Sequence, residues 1–299
     1  MNKYFRYLLL TKLQKKAAVY DSVKSVLEQK GFKAEDINKP VYGGAINIPS
    51  VGAGIFVKCP DNPIINGKYN VFFQIRSGYN PTKAGINTIL VEAEAGGKGS
   101  SENTERFGNS DWIKKQLGII QMILSKKFGN VSLGKLGLGS FSGGYDAVGK
   151  IIADPTINDK ISGLVILDGI HYGKRGKPDP NGLKPWVDFA NKVKDDPTKK
   201  MVIVHTSVDP GTYASSTDTA NYINKNVGAQ KTKTDKSYNG IVPASISNNG
   251  GYTAIQLYDQ KDPNKFGYGY TENEMKSQHI QAAKSLKSIW GEYLKDWNT

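Results

Sequence analysis

Short apolar runs alternate along this chain with segments whose apolar residues recur at helical spacing. From about residue 40 onward the apolar runs predict strands, which cover residues 43–48, 54–58, 69–75, 87–93, 133–141, 161–167, 201–205 and 252–258. The run Ile161 to Leu167 is almost continuously apolar, which is typical of a strand covered on both faces.

Helical spacing is clearest over residues 111–128, where Ser110 or Asn109 is the predicted cap. The predicted buried stripe of this helix consists of Trp112, Leu117, Ile120 and Leu124. Further helices are predicted at residues 143–152, at 185–193 with Pro185 in the first turn, at 216–226 and at 277–297. Because strands separated by such helices form right-handed βαβ crossovers, the pattern predicts an α/β fold with a mostly parallel, doubly wound sheet.

The same pattern suggests how the chain is organised. Residues 1–38 are predicted to form an N-terminal helical extension, and residues 39–299 a single domain. Within that domain, residues 229–251 are polar and rich in glycine and asparagine, so they read as an insertion before the last strand.

Composition excludes several classes of protein. The single cysteine, Cys59, rules out an intrachain disulfide, and with only three histidines in 299 residues we expect no metal site and no cofactor. No apolar run approaches the ~20 residues of a transmembrane helix. The apolar segment near the N-terminus is shorter than a signal peptide requires and no cleavage site follows it, so we expect a cytoplasmic or phage-borne protein.

The formal net charge is +13, but only Arg6, Arg76, Arg106 and Arg175 are arginines among the 40 basic residues. Lysine keeps a surface hydrated, whereas arginine is the usual reader of phosphates and bases. We therefore expect a solvated surface that could attract an anionic or glycan polymer, and no sequence-specific binding of nucleic acid.

The candidate chemistry lies where the strand at 133–141 meets the following helix. Ser142 stands at this turn, with Ser140 two residues before it and Gly144 two residues after it. A nucleophile elbow needs this spacing because its turn is so tight that both flanking positions must be small, while the nucleophile projects from a strained backbone. A P-loop would need a Gly-Lys-Ser/Thr ending, which is absent here. A dinucleotide-binding fingerprint would need a glycine at the position of Ser142.

These features resemble the α/β-hydrolase superfamily. The resemblance covers the order of elements over roughly residues 40–299, the elbow SFSGG at 140–144, the strand end LVILDG at 164–169 and a histidine just before the final helix, at its start. A looser similarity, in the segments around residues 168–171 and 204–223, points to bacterial and phage hydrolase-like proteins of unassigned activity. The resemblance implies a serine nucleophile, a histidine base and an acid, with no cofactor.

For the base, the resemblance favours His279, which follows the last strand, as the chain order of this superfamily requires. His171 is the second choice and could also contact substrate, whereas His205 lies within an apolar strand. Two candidates for the acid stay open. Asp168 and Asp209 each follow a strand at the edge of the sheet where ligands bind in open α/β folds.

The expected reaction is acyl transfer to Ser142 with the oxyanion held by the backbone N–H of Gly143. A second oxyanion donor is expected from the loop after the strand at 69–75, from Ser77, Gly78 or Tyr79, although the His-Gly pair of lipases is missing there.

The sequence thus predicts a serine hydrolase that cleaves an ester or amide. A glycine- and tyrosine-rich run at residues 266–270 could stack on sugar rings, which suggests a cell-surface glycan as substrate. The alternative is a non-catalytic binding or virion protein built on a hydrolase scaffold.

Overall fold

The chain's architecture is taken from a computed structural model, which describes residues 24–29, 31, 33–38, 46, 48–76, 87–96, 99–258 and 271–298. Its strands are β1 (Ile37–Asn38), β2 (Ser50–Val51), β3 (Ile55–Lys58), β4 (Ile64–Ile65), β5 (Lys68–Ile75), β6 (Thr88–Ala93), β7 (Ser132–Phe141), β8 (Ile161–Leu167), β9 (Gly173–Lys174), β10 (Lys177–Pro178), β11 (Lys200–His205), β12 (Gln230–Thr232), β13 (Ser245–Asn249) and β14 (Tyr252–Gln256). The labelled helices are α1 (Ser100–Phe107), α2 (Asp111–Phe128), α3 (Tyr145–Ala153), α4 (Pro155–Asn158), α5 (Pro180–Asp195), α6 (Ser216–Val227), α7 (Glu272–Lys284) and α8 (Leu286–Tyr293). Residues 24–29 are also helical, and the chain ends in a short 3₁₀ turn, Lys295–Asn298.

One large sheet organises the chain, with strand order β12-β13-β14-β11-β8-β7-β5-β6-β3 and with β4 paired to β5. The six strands from β14 to β6 in this order run parallel to one another, while β3, β4, β12 and β13 pair antiparallel to their neighbours. The chain leaves β7, β8 and β11 through helices before it enters the next parallel strand, as right-handed crossovers require. The predicted mostly parallel, doubly wound sheet is confirmed.

Both faces of the sheet are covered, and the pleat of β5 shows why. Val71 and Phe73 point into a core that includes residues of α2, α3, α5 and α6. Phe72 points to the opposite face, where it meets Trp290 of α8 and the C-terminal Trp297, with ring centroids 5.1 and 6.4 Å apart. Successive residues of one strand thus enter two different cores, so β5 has to be apolar throughout its centre.

The helices differ from the sequence prediction at several boundaries. The helix expected to begin near Pro185 begins at Pro180 instead, because Asp179 caps it by accepting hydrogen bonds from the N–H groups of Asn181 and Gly182. Pro185 therefore lies inside α5, and the prediction of a first-turn proline at that residue was wrong. Helix α1 was not predicted at all, since its sequence has only Phe107 as a large apolar anchor.

In place of the single helix expected at residues 277–297, the structure has two helices, and the first of them begins before residue 277. Thr271 caps α7 and forms a capping box with Glu274, so the helix starts at Glu272. Ser285 separates α7 from α8. His279 consequently lies in the interior of α7 and not at the start of a helix, as the sequence had suggested.

The polar segment at residues 229–251 contains β12 and β13, which extend the sheet beyond β14 by antiparallel pairing. Its polarity reflects an edge position, since β12 is exposed throughout. Most of the predicted N-terminal helix and most of the strand expected at 43–48 lie outside the described residues. Within the described ranges, every helix is too short or too polar to span a bilayer.

Candidate active site

Ser142 occupies the turn from β7 into a short 3₁₀ segment, Ser142–Gly144, that leads directly into α3. Its φ is 51°, in the left-handed region that residues with a Cβ rarely adopt. Such a conformation costs on the order of 1–3 kcal/mol and persists only where surrounding structure imposes it. The residue is half-buried, so it is partly accessible to solvent.

The small residues around Ser142 have a direct steric cause. A Cβ on Gly144 would lie 2.7 Å from the carbonyl oxygen of Ile75 and 3.0 Å from the Cβ of Ser140. The first distance is a clash with a backbone atom, and the second is tighter than almost all Cβ contacts in proteins. The turn can therefore close only with a glycine two residues after Ser142 and a small residue two residues before it.

A hydrogen bond joins the candidate base to one of the two candidate acids. Nδ1 of His279 lies 2.7 Å from Oδ2 of Asp168. Asp168 is 1% exposed and follows β8 directly, with a φ of 44°. The two residues are 111 positions apart in sequence, so a long-range contact brings them together.

Three further donors hold the carboxylate of Asp168. Oδ1 accepts from the backbone N–H of Thr206 at 3.1 Å and from the hydroxyl of Ser216, and Oδ2 also accepts from the hydroxyl of Thr206 at 2.8 Å. Burial acts to raise the pKa of Asp168, but the hydrogen bond and charge of His279, the hydrogen bond of Ser216 and the charge of His171 lower it to about 2. Asp168 is therefore ionised wherever the protein is folded at neutral pH.

The hydrogen bond to a carboxylate fixes the state of the imidazole. An ionised carboxylate only accepts, so Nδ1 of His279 carries the proton it donates, and in the neutral ring Nε2 keeps its lone pair. The ring of Phe141, the residue before Ser142, lies against this imidazole with centroids 4.5 Å apart. The arrangement leaves one basic nitrogen, on a ring that packs beside the elbow.

The backbone brings Ser142 and Asp168 close together. A Cβ on Gly169 would lie 2.7 Å from the carbonyl oxygen of Ser142, so the turn after β8 passes directly against the elbow after β7. Within the part of the chain that the structure describes, the hydroxyl of Ser142 makes no hydrogen bond, and none joins it to His279. In enzymes without ligand such contacts are often long and shorten when substrate binds.

The other candidates lie elsewhere. Asp209 does not contact His279; its carboxylate accepts from the N–H of Gly211 at 2.8 Å and pairs with Arg175 at 2.6 Å. It forms the turn that the Asp-Pro-Gly sequence favours. His205 is buried, with Nδ1 2.9 Å from the hydroxyl of Thr217, and burial lowers its pKa to about 4.

His171 lies close to the site but is oriented by the backbone. Its Nδ1 donates to the carbonyl of Ala214 at 3.0 Å, and its ring packs edge-on against Tyr145 with centroids 5.5 Å apart. Burial lowers the pKa of His171, which the charge of Asp168 opposes. The hydrogen bond to Ala214 and the contact with Tyr145 therefore fix the orientation of this ring.

The expected oxyanion donors are only partly described. Gly143 opens the turn into α3, where the first N–H groups of a helix have no partner within it. Ser77, Gly78 and Tyr79 lie outside the described residues. The residue before them, Arg76, has a φ of 53° and extends its side chain over Gly143, where a Cβ would lie 2.3 Å from Nη1.

Sequence reasoning missed the residues that support the candidate triad. Thr206 and Ser216 both hold Asp168, and Arg76 faces the elbow. The polar run Ser215–Asp218 was a signal, because Ser215 and Asp218 form a capping box that starts α6 beside Asp168. Among the described residues, no group of three or more His, Cys, Asp or Glu side chains is arranged to hold a metal ion.

No protein-family model matches the chain, and no curated protein matches it in sequence. The chain does match solved structures, of which two follow. Est1E from Butyrivibrio proteoclasticus matches with 12% identity and a TM-score of 0.39, over 87% of this chain and 99% of Est1E. The acylaminoacyl peptidase of Pyrococcus horikoshii matches with 12% identity and a TM-score of 0.37, over 64% of this chain and 34% of the peptidase. The alternation of strands and helices around a mostly parallel sheet, which the sequence predicted, is present in the structure.

Proposed function

We propose that this protein is a serine hydrolase that cleaves an ester or amide bond, with Ser142 as nucleophile, His279 as base and Asp168 as acid. The observation that carries the proposal is the 2.7 Å hydrogen bond from His279 to Asp168, next to a serine held at a φ of 51°. A buried carboxylate, an imidazole and a strained serine are the three parts of a catalytic triad.

The mechanism follows from the positions of these groups. As the oxygen of Ser142 attacks the acyl carbon, its proton passes to Nε2 of His279, and the carbonyl electrons move onto the oxygen. Asp168 keeps the imidazole in the right tautomer and stabilises its charged form. Return of the proton to the leaving group gives an acyl-enzyme, which water hydrolyses by the same route with His279 again as base.

Asp168 is the acid in this proposal, and Asp209 is not. Asp168 has the properties that the acid of a triad needs, because it is buried, ionised and hydrogen-bonded to the base. Asp209 neutralises Arg175 and shapes a turn.

Turnover of p-nitrophenyl acetate by the purified protein tests this assignment. Ser142→Ala and His279→Asn are each expected to abolish this turnover, because Ser142 supplies the nucleophile and His279 accepts its proton. Folding is checked for each variant by circular dichroism. Turnover that survives in Ser142→Ala would contradict the proposal, and a wild-type protein without activity would favour the binding or virion protein instead.

The glycan substrate stays a prediction. The tyrosine-rich run at 266–270 that suggested it lies outside the described residues. Among the described tyrosines, Tyr213 is 59% exposed. Comparing the hydrolysis of an acetylated polysaccharide with that of p-nitrophenyl acetate tests the prediction.

A further inference from the structure

Arg76 is a charged side chain beside the elbow that the proposed triad does not use. It follows β5 immediately, and its backbone N–H donates to the carbonyl of Ala93 at 2.8 Å. This bond and the left-handed φ of 53° turn the chain sharply at the end of the strand. The turn carries the side chain across the top of β5 toward the neighbouring strand β7 and its elbow.

The guanidinium lies directly over Gly143. A Cβ at Gly143 would lie 2.3 Å from Nη1 of Arg76, a distance that no packed carbon atom tolerates. The φ of Gly143 is outside the left-handed region, so an ordinary residue could adopt its backbone conformation. A side chain at position 143 would have to displace the end of the Arg76 side chain, and its Cβ would also lie 3.3 Å from the backbone nitrogen of Ser100.

Among the residues with described positions, no side chain neutralises this guanidinium by direct contact. Arg76 forms neither a side-chain hydrogen bond nor an ion pair with any residue that the structure describes. Its charge acts on Glu94, whose pKa burial raises and Arg76 lowers. An arginine is always charged and presents five N–H donors in a planar fork, so this half-buried side chain retains donors for an anion.

We propose that Arg76 is a catalytic residue of the hydrolase, whose guanidinium donates to the oxyanion together with the backbone N–H of Gly143. The inference rests on the proposed function. When the oxygen of Ser142 bonds to the acyl carbon, the π electrons of the carbonyl move onto its oxygen, and the serine proton goes to His279. The resulting negative charge forms beside Gly143, where the guanidinium already lies.

This role assigns the second oxyanion donor to a side chain, whereas the sequence favoured a backbone N–H of residues 77–79. A positive charge interacts more strongly with the transition state than with the neutral ground state of an ester. The expected signature is therefore a loss in kcat with little change in KM.

The first test compares Arg76→Ala and Arg76→Lys on p-nitrophenyl acetate, which carries no anionic group of its own. Removal of one oxyanion donor is expected to lower kcat by about 10²–10³-fold, with Arg76→Lys intermediate. Arg106→Ala is the matched control, because Arg106 is exposed and donates to the carbonyl of Ala95, away from the elbow.

Chemical rescue separates a catalytic role from a structural one. Guanidinium chloride at low millimolar concentration is expected to restore part of the kcat of Arg76→Ala, and sodium chloride at equal ionic strength is not. A merely structural arginine would show no such rescue. Rescue by both salts, or a kcat of Arg76→Ala within twofold of wild type, would overturn the proposal.

A double-mutant cycle provides an independent readout. Gly143→Ala is expected to displace the guanidinium, so it should lower kcat in the wild-type background and have a much smaller effect in Arg76→Ala. Equal effects of Gly143→Ala in the two backgrounds would overturn the inference. Covalent labelling of Ser142 by a fluorophosphonate distinguishes the two failures: labelled but Arg76-independent protein refutes the role of Arg76 alone, whereas unlabelled protein refutes the hydrolase and this role together.

Discussion

The Nδ1 of His279, on the penultimate helix, donates to the Oδ2 of Asp168 at the end of β8, over a distance of 2.7 Å. The carboxylate is buried and accepts three other hydrogen bonds, while 29% of the histidine side chain remains exposed. One partner is thus fixed inside the protein, and the ring of the other packs against Phe141, the residue before Ser142.

Asp168→Asn is expected to lower kcat by about 10³–10⁴-fold, because an amide cannot hold the imidazole in its reactive tautomer or stabilise its charged form. Steady-state kinetics on p-nitrophenyl acetate measure the loss. Asp209→Asn is the matched control, since it changes a buried carboxylate that does not contact His279. The opposite ranking of the two variants would show that Asp209 is the acid.

The strain at Ser142 predicts a conflict between stability and activity. Glycine adopts a φ of 51° freely, whereas a residue with a Cβ pays roughly 1 kcal/mol or more for it. Ser142→Gly should therefore be more stable than Ser142→Ala by about 1 kcal/mol, although both lack the nucleophile. Urea unfolding of the two variants measures the difference, and equal stabilities would argue against a strained elbow.

Two glycine-to-alanine changes should act in opposite directions. Gly144→Ala places a Cβ 2.7 Å from the carbonyl of Ile75, so it should destabilise the protein by about 1–3 kcal/mol. Gly118→Ala, inside α2 with no atom near the new Cβ, should stabilise it by up to about 1 kcal/mol. Midpoints of urea unfolding report both effects. A tolerated alanine at position 144 would contradict the steric account of the elbow.

Most of the sheet could be predicted from the sequence, because covered strands such as 161–167 and 201–205 are continuous apolar runs with few alternative readings. The elbow was also predictable, since its small residues follow from local geometry. The acid was not, because Asp168 and Asp209 both end strands at the same edge. Only the packing of α7, which is set by long-range contacts, decides which one meets His279.

Arg76 illustrates a second limit of sequence reasoning. Its importance depends on a left-handed turn and on the space above Gly143, and neither leaves a local pattern. Helix α1 was missed for a related reason, because it has few apolar residues to mark it in the sequence. Its buried face consists of Asn103, Thr104 and Phe107, and two of these three residues are polar.

The buried His205 predicts how stability depends on pH. Its pKa in the folded protein is about 4, because burial disfavours the charged ring, whereas an unfolded histidine titrates near ~6.5. Between these values the unfolded chain binds a proton that the native state does not, so stability should fall as the pH drops from ~6.5 to about 4. Urea unfolding at several pH values should show a shallower fall in His205→Gln, with the remainder arising in part from His171, whose pKa is also lowered. An identical slope in this variant would contradict the prediction.

The most direct test of Ser142 as a nucleophile activated by His279 is to find which residue a fluorophosphonate modifies. The folded protein is labelled first, and it is then digested and analysed by tandem mass spectrometry. The proposed triad predicts a single adduct on Ser142 that forms in wild type and is lost in His279→Asn, because the serine reacts only when the imidazole removes its proton. An adduct on another residue, or labelling of Ser142 that does not depend on His279, would contradict it.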